Sequence, residues 1–297
     1  MKKIFTLCVA TLTFSAAVSA QALPSMLAGT DAAAVSMGGI SAALPAGAFA
    51  IDNNSAALAQ ASGTFDAALS YAKWAPQSAD ATLAGLGAYY KLNDQIAFGL
   101  SGKLYLDRPY DIVGVTGVPA GTFAPKDIIV ALGASYAINP ELSLGATGRM
   151  IASSIGPEAS GTAFCADIMA NYVLGSVNIA AGVCNLGSKI SYGADSYALP
   201  ALVKAAGSWS AAGFTAGAEV DYLLSGAVMA GIGVEYGLWD IVFIRGGFHY
   251  GDQTKALPMY ASAGLGLKFA GIHLDAAFLT ASKTLGNTLM LSLGYAF

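Results

Sequence analysis

Charge is scarce in this 297-residue chain: only 11% of residues are Asp, Glu, Lys or Arg, against about 25% in ordinary soluble proteins. Basic residues are the rarer sign, 14 against 18 acidic, so the chain has no general attraction for nucleic acid. Histidine occurs twice and cysteine three times, with no CxxC pair or histidine cluster, which argues against a metal site. No Gly-rich nucleotide loop stands in a strand-to-helix setting, and neither histidine lies in a Ser-His-Asp arrangement, so no enzyme and no cofactor is expected. Long apolar runs are missing too. Beyond the first twenty residues none reaches the roughly 18 needed for a membrane helix, although 55% of residues are hydrophobic and the mean hydropathy is +0.58. An apolar average broken everywhere by Gly and polar residues fits membrane strands that turn alternate residues to lipid.

The first twenty residues, MKKIFTLCVATLTFSAAVSA, combine two lysines, a short apolar stretch and small residues at Val18, Ser19 and Ala20. This is the pattern of a cleaved secretory signal, with the mature chain starting near Gln21. Cys8 lies too early to carry a lipid anchor. Losing Lys2 and Lys3 takes the formal net charge from −4 to −6. The expected organisation is therefore a signal at 1–20, a periplasmic or plug segment at 21–64, and a barrel from 65 to 297 in the outer membrane.

From residue 65 the chain parses into fourteen strands: 65–75, 81–92, 95–107, 126–138, 141–153, 161–174, 177–190, 200–210, 212–224, 227–236, 240–251, 256–269, 271–281 and 286–297. Every second connection is tight, at 93–94, 139–140, 175–176, 210–211, 237–239 and 270–271. The others are longer, above all 107–126, 153–161 and 190–199. One rim of short periplasmic turns and one of longer external loops is the signature of an antiparallel outer-membrane β-barrel, with both termini in the periplasm.

Parity then assigns faces. If Leu174 opposes Val177 across the Gly175–Ser176 turn, Ala166, Ile168, Ala170, Tyr172 and Leu174 face lipid together with Val177, Ile179, Ala181 and Val183. Cys165, Asp167, Met169 and Asn171 face inward with Asn178, Ala180, Gly182 and Cys184. This register sets Asp167 opposite Cys184, with Cys165 diagonal to it; the two cysteines are either interior thiols or, if their Cα atoms come within about 7 Å, a disulfide. The same parity places Lys103, Arg149, Asp167, Glu219, Asp221, Glu235, Arg245, His249, Lys268, His273 and Asp275 inside, as a polar network around the lumen. In the final strand Leu289, Leu291, Leu293, Tyr295 and Phe297 share one face, so Tyr295 and Phe297 form an aromatic, barrel-closing terminus at the periplasmic interface.

Residues 21–64 are rich in Ala, Gly and Ser and lack strand alternation, as a segment inside the lumen would. A short helix is predicted around 54–60 with Asn53 or Asn54 as its cap. Here Met37-Gly38-Gly39 and Asn54-Ser55-Ala56 precede a barrel, and the chain resembles the PorV/PorQ family of Bacteroidota outer-membrane proteins, within the FadL-like barrels. Ser55 stands where that family commonly has Pro. The resemblance implies a non-enzymatic subunit, with membrane-protein or periplasmic partners, that docks or organises proteins in a secretion or outer-membrane assembly complex. The alternative it carries is a FadL-like channel for small hydrophobic molecules, with a hydrophobic ligand and outer-membrane lipids as partners.

Overall fold

In a computed structural model the described residues are 22–114, 117–252 and 256–297; the segment read as a signal lies outside them. The strands in chain order are β1 (Phe65–Trp74), β2 (Ala81–Lys91), β3 (Ile96–Leu106), β4 (Tyr110–Val113), β5 (Pro119–Phe123), β6 (Lys126–Ala137), β7 (Leu142–Gly156), β8 (Ala159–Leu174) and β9 (Val177–Gly187). They continue with β10 (Ile190–Tyr192), β11 (Asp195–Tyr197), β12 (Leu202–Ala211), β13 (Phe214–Leu223), β14 (Val228–Leu238), β15 (Val242–Gly251), β16 (Tyr260–Phe269), β17 (Ile272–Thr280) and β18 (Leu289–Ala296). Fourteen of these form a closed antiparallel barrel, while β4–β5 and β10–β11 are separate hairpins in the loops after β3 and β9. Closure is made by β1 against β18, with Ala67 opposite Tyr295 and Lys73 opposite Leu289. A closed ladder leaves no strand edge for lipid to desolvate.

Burial alternates along the wall. On β18, Met290, Ser292 and Gly294 are buried, and Leu289, Leu291, Leu293 and Tyr295 are exposed. The exposed set on other strands is equally apolar, with Ile128, Val130, Leu132 and Tyr136 on β6. Exposed aromatics gather at the rim of tight turns: Tyr90, Tyr136, Tyr172, Phe214, Tyr236, Trp239, Phe269, Tyr295 and Phe297. Such a girdle sits where rings meet the headgroup layer. Phe297 also lies 5.2 Å from Phe65, ring to ring.

Three details differ from the sequence reading. β7 and β8 run on through Gly156 and from Ala159, so the expected long connection at 153–161 is a tight turn. The turn expected at 210–211 falls at 212–213, where Ala212 and Gly213 take positive φ. In β9, Asn185 has φ 58°, and the register against β8 shifts between Ala166 and Ile168, so Cys165 faces Gly187. The extra residue is a β-bulge, and Asn185 N donates to Asp167 Oδ1 at 2.7 Å. Cys165 and Cys184 are buried free thiols.

Residues 22–64 fill the lumen. Against the expectation of both termini at the periplasmic rim, the described segment begins beside the external loops, where Ala22 N donates to Ala198 O. It does so because it threads the lumen lengthwise before reaching the periplasmic start of β1, passing first through a 3-10 turn, Pro24–Leu27. It then forms α1 (Ala32–Ser36) and α2 (Ala50–Asn53), followed by a 3-10 helix, Ser55–Gln60. Asp31 caps α1 through Ala33 N, and Asn54 caps the last helix through Ala56 N; both are favoured N-cap residues. The small side chains of α1 let it pack against β16 and β17.

A plugged lumen and its cavity

The Met37-Gly38-Gly39 segment ends α1 with two left-handed glycines, φ 75° and 78°. Gly38 lies on the wall itself, its N–H donating to Ser262 Oγ at 3.0 Å. A Cβ at Gly38 would stand 2.5 Å from Ile232 O. The wall reciprocates: Cβ atoms at Gly233 and Gly247 would come within 2.2 Å of Met37 O and 2.1 Å of Gly38 N. Glycine on both sides is therefore what lets plug and barrel backbones touch.

Asn54, Ser55 and Ala56 are also fully buried. Asn54 Nδ2 donates to Ala42 O at 2.7 Å and to Asn171 Oδ1 at 2.8 Å, and Ala56 O accepts from Ser135 and Ser143 hydroxyls. This motif ties the plug to itself and to β6, β7 and β8.

The inward charges fall into clusters. Arg149 holds Asp167 Oδ2 through Nε and Nη2 at 2.9 and 2.6 Å, and holds Asp52 of the plug through Nη1 at 2.8 Å. Ser101 also donates to Asp52, at 2.6 Å. Lys204 pairs with Glu219 and, at 3.1 Å, with Asp221 Oδ2. Glu219 Oε2 in turn accepts from Ser41 N and Ala42 N of the plug, both at 2.8 Å. Arg245 joins Glu235 and Asp275 at 2.5 and 2.6 Å. His273 Nε2 meets Asp66 Oδ1 at 2.8 Å, nearer than its Nδ1 comes to Asp275, 3.8 Å. Asp66 then accepts from Ala48 N. Lys103 Nζ donates to the plug carbonyls of Ala28 and Met26 at 2.6 and 3.3 Å. His249 stacks on Tyr260 with ring centres 4.8 Å apart and faces Gly38 O with Nδ1. Lys268 has inward register but is exposed beside the turn at 270–271, so it stands outside these clusters.

Three participants were not singled out from the sequence. Lys204 was legible by parity, since it shares the inward face with Glu219 and Asp221, although the turn at 212–213 is what sets it directly across from Asp221. Asp66 was legible too, since it lies on the inward face of β1 and meets His273 two strands away. Asp52 was not, because its partner is set by where the plug sits rather than by strand alternation.

Between plug and wall lies a cavity of about 110 Å³. Leu27, Val35, Trp74, Ile129, Met229, Leu257 and Tyr260 give it apolar sides, and Asp31, Asp52, Lys103, Arg149, Lys204, Glu219, Asp221 and His249 give it polar ones. Burial, helped by the nearby Asp275 carboxylate, pushes the Asp31 carboxyl up to about 6. Among the described residues no group of His, Cys, Asp and Glu is arranged to hold a metal ion, and neither histidine is hydrogen-bonded to a nucleophilic side chain.

No protein-family model matches the chain, and no curated protein matches it. Solved structures do. The toluene transporter TbuX of Ralstonia pickettii superposes with a TM-score of 0.68 at 15% identity, covering 91% of this chain and 99% of that one. The CymD monoaromatic hydrocarbon channel gives 0.66 at 15% identity, with 91% and 98% covered. A FadL homologue of Pseudomonas aeruginosa gives 0.60 at 14%, with 90% and 98% covered. At such identities the likeness is one of fold. With its apolar outer face and aromatic rim, the chain has the FadL-like fourteen-stranded barrel fold and resides in the outer membrane.

Proposed function

We propose that this barrel is a non-catalytic outer-membrane channel for small hydrophobic molecules, gated by the plug of residues 22–64. The observation that carries the reading is the cavity between plug and wall, whose apolar sides come from both parts. A concave site with apolar walls and a few placed polar groups is the usual form of a small-molecule site. The proteins with this fold include a toluene transporter and a monoaromatic hydrocarbon channel, which makes a compact ligand the natural expectation for this chain. Size points the same way, since about 110 Å³ does not hold an extended acyl chain.

The test is uptake of labelled toluene at low micromolar concentration by intact cells that do or do not produce the barrel, with the outer leaflet as the barrier. Faster uptake with the barrel supports the channel. Equal rates, with the barrel verified in the outer membrane, overturn it.

A second reading, the docking or organising subunit, is favoured by the Met37–Gly39 and Asn54–Ala56 motifs. Those motifs already have a task in seating the plug, so they do not require a protein partner. Isolation from native membranes in mild detergent separates the two readings: reproducible co-purification of a secretion or assembly component would favour the subunit.

A further inference from the structure

Asp221 is 8% exposed, and its Oδ2 is held by Lys204 at 3.1 Å. Its other oxygen, Oδ1, is buried without a hydrogen-bond partner, and the residue lines the cavity. A buried carboxylate oxygen left unpaired is costly. His249, 7% exposed, lines the same cavity from β15. Its ring nitrogens face the backbone carbonyls of Gly38 and Leu257, which are themselves acceptors, so the free acceptor of the site is Asp221 Oδ1. The cavity thus presents an acceptor in need of a donor.

Its charges narrow the ligand further. Four carboxylates and three cations line it. Arg149 is engaged by Asp52 and Asp167, Lys204 by Glu219 and Asp221, and Lys103 by two plug carbonyls. A ligand carboxylate would meet surplus negative charge and cations already bound. A pure hydrocarbon would leave Asp221 Oδ1 unsatisfied in a site it has dried. An engineered cavity of about 150 Å³ holds one benzene, so 110 Å³ sets the scale at a single small ring.

We propose that the preferred ligand of this cavity is a neutral single-ring molecule carrying a hydroxyl, a phenol, whose O–H donates to Asp221 Oδ1. The proposal rests on the channel reading and narrows it. Trp74 reports on the cavity it lines, whereas Trp209 and Trp239 are 47% and 81% exposed on the outer face.

The experiment titrates toluene, p-cresol and p-toluate, three molecules of nearly one shape, into the full barrel in liposomes. The signal is tryptophan fluorescence, with Trp74→Phe subtracted. Cresol is expected to half-saturate the Trp74 signal at about one-tenth the concentration toluene needs, the scale of a hydrogen bond to a charged group. Asp221→Ala, in which Lys204 keeps Glu219, should bring cresol within about twofold of toluene, the ratio of the two in the same variant being the readout. If the Ala variant fails to assemble, Asp221→Asn keeps the size, loses the charge and should give an intermediate cresol value. Equal binding of cresol and toluene to the native barrel would overturn the proposal, meaning water already serves Asp221, while leaving the channel intact. Tightest binding of toluate would overturn it as well. Failure of toluene and cresol alike to enter cells faster with the barrel would instead remove the channel reading, and this proposal with it.

Discussion

The plug meets the wall in two unlike ways. At Met37–Gly38, backbone lies against backbone, and wall glycines at 233 and 247 leave no room for even a methyl group. At Asp52 the contact is ionic, with Arg149 spanning from a wall carboxylate to a plug carboxylate, all three nearly buried. The first contact depends on shape and falls away over a fraction of an ångström. The second depends on charge and is costly to break from one side only. A gate built from both has a fixed seat and a polar latch. The seat defines where the plug returns, and the latch decides how readily it leaves.

The largest effect should come from the latch. Arg149→Met leaves Asp52 and Asp167 buried and unpaired, a loss of about 3–5 kcal/mol of plug docking. Protease cleavage within residues 22–64 of the folded barrel measures it, and toluene uptake should rise in parallel. Adding Asp52→Asn and Asp167→Asn should recover much of the loss, because the stranded charges are then gone. No recovery would mean that Arg149 acts through its packing rather than its charge.

At the seat, Gly247→Ala brings a methyl group to 2.1 Å from Gly38 N. Overpacking of this kind costs about 1–3 kcal/mol. Cleavage should increase less than in Arg149→Met, and the thermal unfolding of the barrel itself should change little. A Gly38→Ala substitution in the plug should do the same from the other side, with the added strain of its positive φ. If both were silent, the plug would have a second resting position.

The same division separates what the amino-acid sequence specifies locally from what only the folded chain brings together. The outer face reads directly, because lipid imposes apolar residues at every second position and the tight turns at 93–94, 139–140 and 175–176 fix the register between strands. Inward parity found Arg149, Asp167, Glu219 and Arg245 for the same reason. Extra turns of strand were not legible: β7 and β8 continue through a polar, small-residue stretch, Ser153 to Gly161, that reads as loop. The Asn185 bulge was hidden as well, since a left-handed residue inside a strand leaves little trace in alternation. The plug's partners were the hardest. Asp52 meets Arg149 across 97 residues of sequence, and no local period carries that distance. The run of glycines signalled close approach but not what approaches.

A pH dependence comparable in size to the seat is expected at the head of α1. Asp31, at the head of α1, has its carboxyl raised to about 6 from an ordinary 3.8 when the plug is docked. A raised acid penalises the ionised form of the docked state, so docking is strongest below about pH 4, weakens as pH rises toward 6, and is flat above that. With Asp31 partly exposed, the span is on the order of 2 kcal/mol. Cleavage of the plug should therefore be slower at pH 5 than at pH 7.5. Asp31→Asn keeps the cap and should remove that part of the slope; an unchanged slope would assign it to other groups.

The smallest change tests whether the seat is held by fit or by hydrogen bonds. Ser262 Oγ donates to Ser36 O at 2.9 Å and accepts from Gly38 N at 3.0 Å, so it ties both ends of the Met37 turn to β16. Ser262→Ala removes both bonds and leaves every backbone contact at Gly233 and Gly247 in place. Both freed groups are buried, so the loss is set by their desolvation, about 1–3 kcal/mol. Plug cleavage should rise by no more than in Gly247→Ala. A loss as great as that of Arg149→Met would show that the glycines only admit the turn and that the serine holds it there, which would move the seat from shape to polarity and erase the contrast between the two contacts.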